Sequence, residues 1–173
     1  KASKARYSAG SFLGEVLSTL ACRFGDSDVV PYQVFLTGKT NFRNDVAVSH
    51  EYKANRKDRV KPTHVDTIRK YLIEEWEAIV SDNEEADDLI AIWASDYGDS
   101  SCIVSIDKDF DQVPGWHYNF VKKELYYVNA SDAMRFLYEQ ILTGDRVDNI
   151  IGLDGIGPVK AKRALEDCTT ERE

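Results

Sequence analysis

Apolar residues recur at helical spacing in four stretches of the chain and at strand spacing in several short runs between them. Phe12, Leu13, Val16, Leu17, Leu20 and Phe24 predict an amphipathic helix over residues 11–24, ended by Gly25. "YQVFLT", residues 32–37, is a short β-rich run bounded by Pro31 and Gly38 and predicts a strand. Residues 39–60 are polar and basic with no sustained period, and loops of that length are commonly functional. A helix is predicted over 62–76, with Val65, Ile68, Leu72 and Trp76 on one face, then a short strand over 78–81. Ala86, Leu89, Ile90 and Trp93 form the stripe of a helix over 84–97, with Asn83 as its cap. "CIVSI", residues 102–106, is a continuous apolar run of the buried parallel-strand kind. Residues 116–121 and 124–128 predict paired strands around Lys122 and Lys123, and 131–142 a helix capped by Ser131. From Thr143 the chain is punctuated by glycines and ends in a basic helix. Strand alternating with helix, without repeats, predicts an α/β fold with a mainly parallel sheet.

The 173 residues suit one domain, or one with a small appendage. No apolar run approaches the roughly 18 residues of a membrane span, and Lys1 begins no signal-peptide pattern. Cys22, Cys102 and Cys168 form no CxxC pair, which points to reduced thiols and a cytoplasmic setting. A first residue other than Met leads us to expect further sequence upstream. The net charge of −8 argues against a nucleic-acid partner until its distribution is considered. Residues 39–70 carry nine Lys/Arg against four Asp/Glu, and residues 71–111 carry thirteen Asp/Glu against one Lys. A basic segment followed by an acidic one fits a phosphate-holding surface beside a cation site, or else two solvated faces.

The acidic residues are grouped. "NEEADDLI" places Glu84, Glu85, Asp87 and Asp88 at the start of a helix, where the positive helix end favours one or two acids but not four crowded ones. In "SIDKDFDQ", Asp107 and Asp109 follow a strand; if they continue it, both point the same way. In "TGDRVDNI", Asp145 and Asp148 share a face if they lie on a helical turn. Open α/β sheets place ligand sites beyond the carboxyl ends of their strands. If Glu85, Asp87, Asp88, Asp107, Asp109, Asp145 and Asp148 converge, cations must separate them, and oxygen ligands select Mg²⁺ or Mn²⁺. Two such ions about 4 Å apart activate water and stabilise the leaving oxygen of a phosphodiester. His50, His64 and His117 lack metal-ligand spacing and read as ordinary surface or capping residues.

Two further stretches suit phosphate. "GLDGIGPVKAKRAL" sets tight glycines ahead of Pro158 and a helix carrying Lys160, Lys162 and Arg163. This is the pattern of a helix-hairpin-helix turn, which grips duplex backbone without reading sequence; the alternative is a plain Gly-Pro turn. In "EYKANRK", Lys53 and Lys57 share a face on a helical turn, Arg56 lies beside them, and Tyr52 offers a ring for base stacking. The alternative there is a charged loop.

"EYKANRK", "EADDLI", "SIDKDFDQ" and "LTGDRVDNIIGLDGIGPVKAKRAL" occur in the order found in the 5′-nuclease family, which the chain resembles over about residues 35–165. That family includes phage 5′→3′ exonucleases, flap endonucleases and the 5′-nuclease domain of bacterial DNA polymerase I, and the phage members are the most similar. The resemblance implies a PIN-like core over residues 1–142, with a basic arch or clamp at about 39–61, and a helix-hairpin-helix region over 143–173. It implies that the seven acids named above are metal ligands. It also implies that Lys53 and Arg56 contact the scissile phosphate, and that Arg43 in "NFR" lies near the active site. Gly155 and Gly157 would hold downstream duplex, often with a bound K⁺. Two departures stand out: no strand carrying an acid precedes residue 11, and no carboxylate stands around residues 36–38.

The expected activity is a monomeric, Mg²⁺- or Mn²⁺-dependent 5′→3′ exonuclease or flap endonuclease. Its substrate would be DNA with 5′ ends, flaps or nicks, or an RNA–DNA hybrid, with no membrane partner. The competing expectations are a branched-DNA binder that has lost cleavage and a PIN-type ribonuclease.

Overall fold

The structure is a computed structural model that describes residues 1–24, 31–47, 52–53 and 60–168. The chain forms two compact units, one from Lys1–Asn41 with Arg59–Leu89, the other from Phe42–Asp58 with Ile90–Glu173.

In the first unit, helix α1 spans Ala2–Phe24 and helix α3 spans Val65–Glu75. The two pack together closely enough that a side chain at Gly10 would run into the Tyr71 hydroxyl. Val16 and Leu20 are the buried residues of α1, in keeping with the apolar spacing. The helix reaches back to Ala2, beyond the predicted start, because "ASKARYSAG" is rich in Ala, Lys and Arg, which favour helix without any apolar stripe. Strands β1 (Phe35–Leu36) and β2 (Ile79–Val80) pair in parallel, Phe35 opposite Ile79 and Leu36 opposite Val80. Tyr32 closes over Trp76 with ring centroids 5.3 Å apart. The expected end of α1 at Gly25 lies outside the described residues.

The second unit begins with a single helical turn, α2 (Arg43–Val46). Helix α4 (Ala86–Tyr97) leads through a 3₁₀ turn at Gly98–Ser100 into strand β3 (Cys102–Val104). β3 pairs in parallel with β4 (Gly115–Asn119), Ile103 opposite His117, and β4 pairs antiparallel with β5 (Glu124–Val128). The predicted hairpin is thus present. Its turn is held by Asn119 Oδ1, which accepts from the backbone N–H of Val121 and Lys122, with Lys123 at φ 55°. Ala94, Ile103 and Phe110 form the core, with Ile90 and Val113 packed against it. Only Ile103 of the "CIVSI" run is buried, for Val104 and Ile106 are exposed.

Helix α5 (Ala130–Thr143) is capped by Asn129, whose side chain accepts from Asp132 N at 2.9 Å; Ser131 lies inside the helix instead of capping it. Strands β6 (Gly144–Asp145) and β7 (Ile150–Ile151) form an antiparallel hairpin, and α6 (Pro158–Ala164) follows. The fold is α/β, parallel at β1–β2 and β3–β4 and antiparallel at the two hairpins. Among the described residues no helix is long and apolar enough to cross a membrane. Cys22, Cys102 and Cys168 are free thiols, and burial pushes the Cys102 thiol up to about 12, which disfavours its thiolate.

Candidate metal centre and nucleic-acid interface

The first unit holds Glu85, Asp87 and Asp88 at the start of α4. Glu85, just ahead of the helix, donates its backbone N–H to Asp88 Oδ2 at 2.9 Å, which is one half of a capping box. The next N–H, that of Ala86, is taken by Thr37 Oγ1 at 3.1 Å. Asn83 does not cap the helix; it adopts φ 61° and donates its N–H to Thr40 Oγ1. Asp88 is therefore partly accounted for by helix geometry, whereas Asp87 is exposed and Glu85 is buried. A buried carboxylate is costly unless something compensates its charge.

The loop after β1 is bound to the same turn. Gly38 N donates to Ser81 Oγ at 3.0 Å, and Ser81 Oγ donates to Glu84 O at 2.6 Å. A Cβ at residue 38 would collide with the carbonyl oxygen of Ser81. This position has no room for any side chain, which is the physical reason it carries no carboxylate.

The second unit holds the other four acids, and the structure corrects the expected geometry of each pair. Asp107 and Asp109 do not continue β3. Asp107 caps a 3₁₀ turn, Lys108–Gln112, its side chain accepting from Asp109 N at 3.0 Å. Asp145 and Asp148 are not on a helical turn. Asp145 lies in β6, its Oδ1 accepting from Val147 N at 2.6 Å, and Asp148 lies in the turn before β7.

These local bonds leave carboxylate oxygens facing cations. Lys108 Nζ stands 3.6 Å from Asp109 Oδ1 and 3.9 Å from Asp145 Oδ2, one ammonium between two acids distant in sequence. Lys53 Nζ lies 3.7 Å from Asp148 Oδ2, the oxygen that also accepts from the Tyr52 hydroxyl at 3.0 Å. The same ammonium lies 4.8 Å from the Tyr52 ring centroid, and Lys53 N donates to Asp148 O at 3.2 Å. The Asp145 and Asp148 side chains are only 14% and 19% exposed, so both carboxylates are largely withdrawn from water. Arg43 is placed over the ring of Phe42, 4.8 Å from its centroid. Arg56 and Lys57 lie outside the described residues.

Among the described residues no three His, Cys, Asp or Glu side chains gather as a ready metal cage. The donor set nevertheless suits a hard cation. It is made of carboxylate oxygens, and a positive charge already stands between Asp109 and Asp145.

Four glycines after α5 divide into two kinds. A Cβ at Gly144 would meet the backbone of Gly152 and Ile150, and one at Gly152 the backbone of Thr143 and Gly144, so this pair lets the hairpin base close. A Cβ at Gly155 or Gly157 would meet nothing. Those two leave backbone open to an outside group, although only Gly155, at φ 70°, needs glycine for its conformation. Lys160 Nζ donates to Gly155 O at 2.8 Å. Lys162 lines a cavity of about 340 Å³ with Asp111, Tyr126, Arg135 and Glu139. There the Tyr126 hydroxyl donates to Asp111 Oδ1 at 2.8 Å, and burial followed by this bond pushes its pKa above the usual tyrosine value.

Sequence reasoning overlooked Lys108, Gln112 and Gln140. The flanking acids in "DKD" were a signal for Lys108; the two glutamines carry none.

The fold is that of a phage 5′-nuclease. A bacteriophage T5 protein co-crystallised with metal ions matches 91% of this chain and 67% of its own at a TM-score of 0.69 and 21% identity. The T5 5′-exonuclease with bound zinc gives 0.68 and 21%, over 91% of this chain and 66% of that one. A T5 flap endonuclease mutant in a pseudo-enzyme–product complex with DNA and metal ions gives 0.65 and 20%, again over 91% and 66%. In sequence, DNA polymerase I of Rhizobium leguminosarum is 35% identical over 103 residues, 51% of this chain. The chain spans only a tenth of that polymerase and about two thirds of the T5 chains. No family model matches the sequence. The resemblance to 5′-nucleases seen in the motifs is thus met again in the backbone and in one curated relative.

Proposed function

We propose that the chain is the catalytic part of a divalent-metal-dependent nuclease that hydrolyses DNA phosphodiesters near 5′ ends, flaps or nicks. The observation that carries this reading is the pair Asp109 and Asp145, brought from separate stretches to the two sides of one positive charge. A structural ion pair needs one carboxylate, and a surface pair contributes only about 0–1 kcal/mol. Two carboxylates held around one ammonium form a set that a divalent ion satisfies better.

Asp107, Asp109, Asp145 and Asp148 would hold the metal, Mg²⁺ or Mn²⁺, and the resemblance assigns the same role to Glu85, Asp87 and Asp88. When bound, such ions supply an activated water and charge stabilisation on the leaving oxygen. The chain's own groups do the rest. Lys53, with Arg43 and Arg56 assigned by resemblance, carries positive charge for the phosphate on which negative charge builds. Tyr52, whose hydroxyl bonds Asp148, orders the segment that bears Lys53 and offers a face to a base. The open backbone at Gly155 and Gly157, with Lys160 and Lys162, and with Lys57 assigned from the sequence alone, contacts duplex phosphates without reading sequence, as in a helix-hairpin-helix element. A K⁺ ion at that turn belongs to the same proposal.

The test is cleavage of a 5′-labelled flap, a nicked duplex and a hairpin, each with Mg²⁺ and with chelator. The Asp107→Ala, Asp109→Ala double variant should lose Mg²⁺-dependent cleavage and retain flap binding. Full activity in that variant would discard the reading. Binding without cleavage in the wild-type chain would favour the branched-DNA binder, to which the carboxylate-free Gly38 position lends support.

A further inference from the structure

Gln140 and Gln112 form a polar chain that ends on Asp109. Gln140 Nε2 donates to Asp109 Oδ1 at 2.6 Å, and Gln112 Nε2 donates to Gln140 Oε1. The direction of this chain is fixed by its anionic end. An ionised carboxylate only accepts, so Gln140 must present its NH₂ to Asp109, which turns its Oε1 toward Gln112. Gln112 must then present its own NH₂. The bonds tie α5 to the 3₁₀ turn that carries Asp109, and both contacts are partly buried.

We infer that Gln140 is a positioning residue for the metal centre, with Gln112 setting its amide orientation. This rests on the reading of Asp109 as a metal ligand. Gln140 occupies one lone pair of Oδ1, the oxygen that also faces Lys108, and so fixes the carboxylate's rotation and leaves its remaining lone pairs aimed at the cation position shared with Asp145. Groups that orient metal-binding carboxylates typically change metal affinity by about 10- to 100-fold when removed.

Mn²⁺ titration of the wild-type chain, followed by electron paramagnetic resonance without DNA, tests this directly. Gln140→Leu should weaken Mn²⁺ binding by about 10- to 100-fold, with the melting temperature in chelator kept near wild type. Gln112→Leu leaves the Asp109 bond in place but frees the amide to turn, and should give a smaller loss in the same direction. Asp109→Ala serves as the reference for loss of the ligand itself. Wild-type Mn²⁺ affinity in Gln140→Leu beside a weakened Asp109→Ala would overturn the inference and spare the metal reading. Wild-type affinity in Asp109→Ala would overturn both. Should Gln140→Leu fail to fold, an unchanged affinity in Gln112→Leu would count against the chain of amides.

Discussion

At the residue scale, the glycines near the C-terminal end separate structural need from functional use. Gly157 caps α6 at φ −100° and ψ 177°, which any residue adopts, and a Cβ there meets nothing. Neither strain nor packing therefore accounts for glycine at this position, whereas the proposed approach of duplex phosphates to the backbone would. Gly157→Ala should leave stability within about 0.5 kcal/mol of wild type, while duplex affinity falls. Thermal melting and a fluorescence-anisotropy titration with nicked duplex measure the two quantities. Unchanged DNA affinity would remove the assigned role. The carboxylates show how far single residues could be read in the sequence. Their oxygen chemistry and their grouping were legible; the partners of each oxygen were not, because Gln140 reaches Asp109, Tyr52 reaches Asp148 and Lys108 reaches Asp145 from segments distant in sequence.

At the scale of elements, apolar periodicity located α3, α4 and α5 and the β4–β5 hairpin to within a few residues of their ends, and α1 from residue 11 onward but not its first nine residues. It failed where aspartates direct the backbone. Asp107 and Asp145 each accept the N–H of the residue two positions on, Asp109 and Val147, and such local bonds offer the chain an alternative to both strand and helix. Hence 107–109 left the strand and 145–148 became a hairpin turn instead of a helical one. Propensity extended α1, and a better-placed Asn129 displaced Ser131 as the cap of α5. The β6–β7 hairpin depends on Gly144 and Gly152 passing without side chains. Gly152→Ala should force the strands apart at a cost of about 1–3 kcal/mol. Calorimetry should show a lower melting temperature, and because Asp145 lies in β6, Mn²⁺ affinity should fall with it. A variant of wild-type stability would mean that the hairpin does not close as described.

At the scale of the whole molecule, a chain of net charge −8 is poorly suited to polyanions unless its acids are matched by cations. The second unit does this by placing Lys108 between Asp109 and Asp145 and Lys53 on Asp148. The fold class was legible because several motifs occur together in one order. The division of the chain into two compact units was not, since it follows from contacts between distant segments and not from composition. The central claim is that Asp109 and Asp145 share one divalent ion, and a double-mutant cycle on Mn²⁺ affinity with Asp109→Asn and Asp145→Asn tests it most directly. The account predicts that each substitution weakens the same ion and that the pair together loses less than the sum of the two. Additive losses, or wild-type Mn²⁺ binding in the double variant, would contradict it.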